Sequence, residues 1–327
     1  MTPSVAVFGA SGYAGALCAR LLHRHPSFML TTVTSRSDVG RRVDELYPQH
    51  RVPMRLEELE VERHADVDAA IVAYPHGAAA PVVAALHERG VRVVDLSADF
   101  RLRLVDIYEQ WYVPHPHPEL IGEAVYGLPE LRRAQIEGAD IVANPGCFPT
   151  AALLALAPLA PWLDDVVIDA KTGVSGAGRA PTATTHFVSA DENVTPYGVA
   201  GHRHVTEIDQ ELAFLGAPIR ATFVPHLLPL DQGELVSCYC TVRTEVDVEG
   251  LFARAYESEP FVELTDRPPG VRDVRDTNYC RIHARLDERT GKVFVFAAID
   301  NLWKGASSQA VQNLNLMFDI DETVGLL

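Results

Sequence analysis

The chain has 327 residues, of which 28 are Lys or Arg and 44 are Asp or Glu, so its formal net charge is −16. With 47% hydrophobic and 22% charged residues, its composition is typical of a folded globular protein and excludes disordered and fibrous classes. The negative charge argues against partners that need a positive field, so we expect neither nucleic acid nor a membrane surface as a partner. No stretch reaches the roughly 20 apolar residues of a membrane span, and we expect a cytoplasmic protein.

The length predicts about two domains. In the first 150 residues, short apolar runs predict strands over 5–8, 30–33, 69–73, 91–96 and 141–142. Helical patterns such as 78–88 lie between them. Because strands that alternate with helices form parallel sheets with right-handed crossovers, we predict an α/β fold here, a Rossmann-type doubly wound parallel sheet.

Beyond residue 150 the strand patterns are separated by longer loops that contain Gly and Pro. They predict strands over 166–170, 221–224, 235–244 and 292–299. Helices are predicted over 206–215, 248–258 and 307–318. This pattern is typical of an α+β domain with a mixed, largely antiparallel sheet.

A glycine-rich turn follows the first predicted strand. It contains, in order, Gly9, Ser11, Gly12, Tyr13, Ala14 and Gly15. A backbone that turns tightly from a strand into a helix presents N–H groups and a positive helix end to a pyrophosphate. The turn has a glycine at every third position, which departs from the usual dinucleotide fingerprint. A turn that only packs the helix against the sheet is the alternative.

The second predicted strand is followed by Ser35, Arg36 and Ser37. A cofactor with a free ribose 2′-hydroxyl usually meets an Asp or Glu at this place. Two hydroxyls and a guanidinium suit a 2′-phosphate instead, so we predict NADP(H) as the cofactor. The alternative is that Arg36 is a solvated surface residue.

Five cysteines are present, and none forms a C-x-x-C pair, so we predict no metal site. Cys147 follows Asn144-Pro145-Gly146 and leads into an apolar helix over 151–157. The positive end of a helix stabilises a thiolate and makes it nucleophilic. We therefore predict Cys147 as a nucleophile and the other four cysteines as packing residues.

A polar segment further on contains His202, Arg203, His204 and Glu207. We predict Thr206 as a helix N-cap, which places His204 in the entry loop and Glu207 in the first turn. An imidazole there exchanges protons near neutral pH, and a nearby carboxylate can orient it. A solvated loop is the alternative. Together with Cys147 and a nicotinamide, the segment predicts oxidoreduction through a thioester.

Six motifs in chain order resemble the N-acetyl-gamma-glutamyl-phosphate reductase family of arginine biosynthesis, which is related to the aspartate-semialdehyde dehydrogenases. They cover 9–15, 95–101, 144–147, 173–179, 202–204 and 300–305. The resemblance implies NADPH-dependent reduction of N-acetyl-L-glutamyl 5-phosphate to the 5-semialdehyde with release of phosphate. It also implies an NADP-binding domain over 1–146 completed by a C-terminal helix over 303–327, a catalytic and oligomerisation domain over 147–302, and a homo-oligomer, either dimer or tetramer.

The resemblance implies roles for individual residues as well. It makes Cys147 the nucleophile and His204, paired with Glu207, the acid/base, with His202 as the competing choice. The oxyanion would meet the backbone N–H groups of Cys147 and Phe148 and the Ser175 hydroxyl. Residues expected at the acyl phosphate substrate are Arg101, Asn144, Ser175, Tyr197, His202 and Arg203, with Lys171 and Arg179 as further cations. Residues expected at the cofactor besides the glycine turn are Ser97, Gly176 and Asn301, the last at the nicotinamide carboxamide.

Two alternatives to this activity stay open. One is the aminoadipyl-phosphate reductase of lysine biosynthesis, whose substrate is longer by one methylene, a difference worth only about 1–3 kcal/mol of discrimination. The other is a Rossmann-type sensor that binds NADP without turnover. Kinetics with both semialdehydes would separate all three hypotheses.

Overall fold

The computed structural model describes residues 2–327, which divide into two compact units. Unit 1 consists of the residues up to Pro145 together with Ala306–Leu327, and unit 2 is Gly146–Gly305. The strands are β1 (Ser4–Phe8), β2 (Met29–Thr34), β3 (Ala69–Val72), β4 (Arg92–Asp95), β5 (Val125–Tyr126), β6 (Ile141–Ala143), β7 (Leu163–Gly173), β8 (Thr195–Pro196), β9 (Thr222–Leu228), β10 (Glu234–Val242), β11 (Val262–Leu264), β12 (Cys280–Asp287) and β13 (Lys292–Ile299).

The helices alternate with the strands in unit 1 and are sparser in unit 2. They are α1 (Tyr13–His23), α2 (Val43–Leu46), α3 (Val61–His64), α4 (Ala80–His87), α5 (Val105–Trp111), α6 (Pro129–Ile136), α7 (Cys147–Leu156), α8 (Phe187–Ala190), α9 (His204–Phe214), α10 (Val248–Tyr256) and α11 (Ser308–Met317). Among residues 2–327, no helix has the length and apolar character needed to cross a bilayer.

Unit 1 is built on a six-stranded parallel sheet with the order β2-β1-β3-β4-β6-β5. The central strand β3 is buried along its whole length, as expected for a parallel sheet covered by helices on both faces. From β1, the chain adds β2 on one side of the sheet and β3 on the other, so the order of the strands reverses between β1 and β3. Ligands of such sheets bind at this point, outside the carboxyl ends of the strands. The prediction of a Rossmann-type sheet is confirmed.

The C-terminal helix α11 belongs to unit 1, where it packs against α1, α6 and β4. Its polar residues are buried, and the side-chain amides of Asn313 and Asn315 donate hydrogen bonds to neighbouring groups. Asn313 Nδ2 donates to the Gly127 carbonyl at 2.8 Å and to Asn144 Oδ1 at 3.0 Å. Helix α11 is therefore an integral part of the core of unit 1.

Unit 2 is built on a seven-stranded sheet with the order β11-β12-β13-β10-β7-β9-β8. The β7–β9 and β11–β12 pairs are parallel and the other pairs are antiparallel. This confirms the predicted mixed, largely antiparallel sheet. Along β10 the alternate residues Val236, Cys238 and Cys240 are buried, and helix α7 packs against β10 and β13.

The start of α9 differs from the prediction. The helix begins at His204, and Thr206 lies inside the first turn, where its Oγ1 donates to the Arg203 carbonyl at 2.9 Å. The predicted N-cap role of Thr206 is therefore wrong, because a threonine hydroxyl inside a helix bonds back to a carbonyl of the preceding turn. His204 is thus the first helical residue and does not lie in an entry loop.

Candidate active site

The glycine turn after β1 has the geometry that a phosphate site at a strand-to-helix turn requires. Gly9 has φ +93°, and a Cβ there would lie 2.5 Å from the Ala73 carbonyl oxygen. A Cβ on Gly15 would lie 2.3 Å from the Gly9 carbonyl oxygen. At Gly12, which precedes the first residue of α1, a Cβ would meet nothing closer than 3.7 Å. Only glycine fits at Gly9 and Gly15, and Gly12 leaves room at the positive end of α1.

Hydrogen bonds join this turn to the end of β2. The buried Ser35 Oγ donates to Ser11 Oγ at 2.8 Å and accepts the N–H groups of Ser37 and Asp38. The neighbouring Tyr13 and Ala14 open helix α1, and the Ala14 carbonyl accepts a hydrogen bond from Ser307. The glycine turn and the segment after β2, which hold most of the predicted cofactor residues of unit 1, thus lie together at the carboxyl ends of β1 and β2.

Arg36 is exposed, and its guanidinium lies 4.7 Å from the centre of the Tyr74 ring. The segment after β2 also holds a carboxylate, Asp38, which the sequence argument did not take into account. Asp38 accepts hydrogen bonds from Ser37 Oγ at 2.7 Å and from Arg41 at 3.4 Å. Its negative charge is therefore shared between a hydroxyl and a guanidinium.

Ser97 lies beyond the end of β4 and is held by Asp95. Its N–H and Oγ donate to the Asp95 carboxyl at 2.9 Å and 2.6 Å. Burial, assisted by the negative charge of the neighbouring Asp99, raises the pKa of Asp95 to about 7. Asp99 in turn accepts hydrogen bonds from Gly77, Ala80 and Tyr108.

Arg101 and Asn144 lie in the interior of unit 1. The Arg101 guanidinium, with the residue only 6% exposed, donates to the carbonyls of Asn144 at 2.7 Å and Leu96 at 2.8 Å. The Asn144 side chain donates to the Ala306 carbonyl at 3.2 Å and accepts from Asn313. These contacts hold the loops after β4 and β6 in place, and the substrate roles of both residues stay predictions.

Cys147 differs from the other cysteines in its surroundings. It is the first residue of the ten-residue helix α7 and is partly exposed, whereas Cys18, Cys238, Cys240 and Cys280 are buried. Burial raises the pKa of the Cys18 and Cys240 thiols to about 12 and raises that of Cys238 well above its usual range. These three are therefore inert thiols, and the helix N-terminus at Cys147 favours a thiolate.

Two residues fix the position of Cys147 from either side. Glu207, buried in α9, accepts a hydrogen bond from the Gly146 N–H at 2.9 Å. Gly305 packs so closely that a Cβ there would lie 2.8 Å from the Cys147 Cβ. The expectation that Glu207 orients His204 stays a prediction, and the contact with Gly146 is one that the sequence did not indicate.

Aromatic rings surround the two histidines. The His202 ring lies 5.7 Å from that of Phe148, 5.5 Å from that of Tyr197, 5.3 Å from that of Phe223 and 4.9 Å from that of His204. The His204 ring lies 5.9 Å from that of Phe148. Since Phe148 follows Cys147 directly, the histidine segment and the cysteine belong to one site.

The protonation of His202 follows from its surroundings. Burial, assisted by the positive charge of Arg203, lowers the pKa of His202 to about 4. Its Nδ1 accepts the His204 N–H at 3.2 Å, so the proton of the neutral ring lies on Nε2. Burial, followed by the charges of Cys147 and Glu234, raises the pKa of Tyr197, which keeps its phenol protonated.

Ser175 and Asn301 form a hydrogen-bonded pair after β7 and β13. Asn301 Nδ2 donates to Ser175 Oγ at 3.1 Å, and Asn301 Oδ1 accepts the Gly233 N–H at 2.7 Å. Because Ser175 Oγ accepts from Asn301, its own proton is left for another acceptor. Gly176 is exposed, and a Cβ there would meet Thr172 and Asn301 only at 3.5 Å and 3.7 Å.

The expectation that Lys171 is a further cation for the substrate stays a prediction. Lys171 Nζ forms an ion pair with Asp169 at 2.6 Å and donates to Ser237 at 3.2 Å. Successive residues of a strand point to opposite faces of the sheet, and the next residue, Thr172, is the one on the Glu234 side. Arg179 and Arg203 are exposed.

One residue of the site was missed altogether. Glu234 is fully buried, and its carboxyl adjoins the side chains of Cys147 and Thr172. Burial raises the pKa of Glu234 to about 8 and outweighs the opposing effect of the Cys147 and Thr172 side chains. A sequence signal did exist, because Glu234 is in phase with the buried residues Val236 and Cys238 of the same strand. Within residues 2–327, no group of three or more His, Cys, Asp or Glu is arranged to hold a metal ion.

The two sheets and the cysteine at the start of α7 define the class of protein. Residues 4–139 match the model of the semialdehyde dehydrogenase NAD binding domain, and residues 147–301 match that of the semialdehyde dehydrogenase dimerisation domain. This match makes the chain an oxidoreductase and confirms a nicotinamide dinucleotide cofactor.

Relatives of 46% and 48% sequence identity show which family within this class the chain belongs to. N-acetyl-gamma-glutamyl-phosphate reductase from Rubrobacter xylanophilus is 48% identical over 99% of this chain and 98% of its own, and that from Geobacter sp. strain M21 is 46% identical over 98% and 97%. The chain belongs to the N-acetyl-gamma-glutamyl-phosphate reductase family. Membership favours neither the aminoadipyl-phosphate reductase nor the sensor without turnover.

Solved structures agree with the fold. Aspartate semialdehyde dehydrogenase II from Vibrio cholerae, complexed with ASA, has a TM-score of 0.76 at 20% identity and covers 98% of this chain and 99% of its own. Aspartate semialdehyde dehydrogenase from Francisella tularensis has a TM-score of 0.71 at 14% identity and covers 97% and 100%. At these identities the likeness shows the shared fold alone.

Proposed function

We propose that the chain reduces N-acetyl-L-glutamyl 5-phosphate to N-acetyl-L-glutamate 5-semialdehyde with NADPH and releases phosphate. The observation that carries this proposal is the placement of Cys147, a partly exposed cysteine at the start of α7, beside two histidines and Tyr197. Relatives that carry the name of this reductase, at 46% and 48% identity over nearly the full length, support the choice of substrate.

The chemistry of the reaction starts at the Cys147 sulfur. The thiolate attacks the carbonyl carbon of the acyl phosphate and forms a C–S bond. The bond between that carbon and the oxygen that bridges to phosphorus then breaks, and phosphate leaves. The resulting thioester carbonyl accepts a hydride far more readily than a carboxylate does. A nicotinamide cofactor, held by the glycine turn and the segment after β2, would supply that hydride when bound. Collapse of the resulting thiohemiacetal breaks the C–S bond, releases the aldehyde and restores the thiolate on Cys147.

His204 is the acid/base of this scheme. It lies at the first turn of α9 and contacts the Phe148 ring, next to the nucleophile. His202 is the weaker candidate, because a pKa of about 4 leaves almost no imidazolium at neutral pH from which a proton could be donated. We assign His202 to holding the His204 backbone and lining the substrate site together with Tyr197.

Glu207 is a positioning residue. By accepting the Gly146 N–H at 2.9 Å it fixes the residue that precedes the nucleophile. The N–H groups of Cys147 and Phe148 at the start of α7 and the proton of Ser175 Oγ are the donors we propose for the oxyanion. Arg203, exposed beside His202, is the cation that we propose to face the acidic substrate.

The cofactor residues lie in unit 1, apart from Gly176 and Asn301. A pyrophosphate fits the turn at the start of α1, where a Cβ would clash at Gly9 and Gly15 and would meet nothing closer than 3.7 Å at Gly12. A 2′-phosphate fits the segment after β2, which contains Ser35, Arg36 and Ser37. A homo-oligomeric state agrees with the match to a dimerisation domain. That state and a cytoplasmic location stay predictions.

The direct test is Cys147→Ser, assayed in the reverse direction as phosphate-dependent NADPH formation from the semialdehyde. We expect a loss of about 10⁴-fold or more, because the nucleophile is removed. Cys280→Ser, which changes a buried cysteine of β12, is the matched control and is expected to keep its activity. The glutamyl and aminoadipyl semialdehydes are assayed side by side, with NADP and with NAD. Full activity of Cys147→Ser would end the proposal.

A further inference from the structure

Glu234 occupies an unusual position for a carboxylic acid. It is the first residue of β10 and pairs in register with Thr172 of β7 and Ile299 of β13, near the middle of the seven-stranded sheet. Its side chain has no exposure to solvent. Because alternate residues of a strand share one face, Glu234 lies on the same face as Val236 and the other buried residues of β10, against which α7 packs.

Within the part of the chain that the structure describes, the carboxyl group of Glu234 lacks the hydrogen bonds and positive charges that would stabilise a buried carboxylate. Neither of its oxygens completes a hydrogen bond of good geometry with any group in residues 2–327. The Cys147 thiol at the start of α7 and the Thr172 hydroxyl of β7 adjoin it, and Asp300 after β13 acts on it electrostatically. A negative charge on Glu234 also contributes to the raised pKa of Tyr197, which lies on the loop before α9. A buried carboxylate with such neighbours is strongly disfavoured, whereas the neutral acid is tolerated.

We propose that Glu234 is kept uncharged beside Cys147 and donates its O–H to the Cys147 sulfur whenever that sulfur is a thiolate. The pKa of Glu234, raised by burial to about 8, leaves the proton on the carboxyl at neutral pH. The proposal rests on the proposed role of Cys147 as the nucleophile. It adds a second source of thiolate stabilisation to the N-terminus of α7.

This hydrogen bond would act at two points of the reaction. The thiolate is present before it attacks the acyl phosphate and again after the thiohemiacetal expels it. Glu234 keeps its proton throughout, so no net proton transfer occurs at this residue, and the proton exchanged with the substrate moves through His204. If Glu234 lost its proton while Cys147 was a thiolate, two negative charges would share one buried site, so the two groups titrate as a coupled pair.

The test measures the rate of Cys147 alkylation by iodoacetamide between pH 5 and pH 10 in the intact protein, with the labelled peptide identified by mass spectrometry. It requires neither substrate nor cofactor. Glu234→Leu removes the donor, and we expect the midpoint of the pH profile to rise by about one pH unit or more. Glu234→Gln keeps an N–H donor of similar shape, so its midpoint should lie close to that of the unchanged protein.

Asp209→Asn is the matched control. Asp209 is another carboxyl of unit 2 whose pKa is raised by burial, and its partner is the Ala221 N–H. Its profile should be unchanged. An unchanged or lower midpoint in Glu234→Leu would overturn the proposal, as would a Glu234→Gln midpoint shifted as far as that of Glu234→Leu.

A second measurement checks that Glu234 is neutral, and it does not depend on Cys147. A carboxyl whose folded pKa lies above its unfolded value binds its proton more tightly in the folded protein, so stability falls as the pH rises from about 4.5 to about 8. Glu234→Gln removes that titration, and the decline of the thermal midpoint over this range should be smaller in the variant. An equal decline would overturn the neutral state. Loss of activity in Cys147→Ser alongside an unaltered labelling profile in Glu234→Leu would leave the proposed function standing and remove only this inference.

Discussion

Gly305 offers the sharpest steric test of the site. A Cβ at this position would lie 2.8 Å from the Cys147 Cβ and 3.3 Å from its Cα. Carbon atoms in contact prefer about 3.5–4.0 Å, so Gly305→Ala must push the two residues apart by about 1 Å. Overpacking of this kind costs about 1–3 kcal/mol of stability. A nucleophile displaced by about 1 Å loses about 10² in rate, which corresponds to about 2.7 kcal/mol in the barrier.

We therefore expect kcat of Gly305→Ala to fall about 100-fold in the phosphate-dependent assay, with a modest decrease in the thermal midpoint. Gly270→Ala is the control, because Gly270 has φ −107° and a Cβ there meets nothing within 4 Å. It should leave both quantities unchanged. A Gly305→Ala protein that folds and keeps kcat within threefold would refute the reasoning, since it would show that the position of Cys147 is not set by this contact.

Two further predictions concern the cofactor and the positioning of the nucleophile. Arg36→Ala should raise the KM for NADP about 10- to 100-fold and leave that for NAD nearly unchanged, because a charge-assisted hydrogen bond is worth about 1.5–3 kcal/mol. Steady-state kinetics with both cofactors check this, and an equal effect on both cofactors would contradict it. Arg55→Ala is the control, because Arg55 is another exposed arginine of unit 1 and its guanidinium donates to the Gly40 carbonyl. Glu207→Ala should lower kcat further than Glu207→Gln, since Gln keeps an oxygen acceptor for the Gly146 N–H. Equal kcat values in the two Glu207 variants would show that this hydrogen bond does not position Cys147.

Local patterns were sufficient for much of the architecture. Apolar runs between helical segments predicted the parallel sheet of unit 1, and β-rich runs between longer loops predicted the mixed sheet of unit 2. The glycine turn and the start of α7 at Cys147 were also predictable. These features depend on periodicity, glycine conformation and helix termini, which are properties of a few consecutive residues.

Strand β12 was missed although its sequence carries a strand signal. In Cys280–Asp287 the polar residues, among them Arg281 and Arg285, alternate with small or apolar ones, which is the period of a half-buried strand. The strand pairs with β13 and β11. The start of α9 was predicted wrongly, because the helix begins at His204 and the Thr206 hydroxyl bonds back to the Arg203 carbonyl within the first turn.

The tertiary structure determines which residues surround Cys147. Glu207 reaches Gly146 across 61 positions of the chain, Gly305 contacts Cys147 across 158, and the Glu234 carboxyl becomes buried because β10 lies inside the sheet. Composition and spacing select the kinds of groups a site can use, but burial, pairing and close approach arise only when distant segments pack together. Those three effects determine which carboxyl is neutral, which thiol is reactive and which glycine is required.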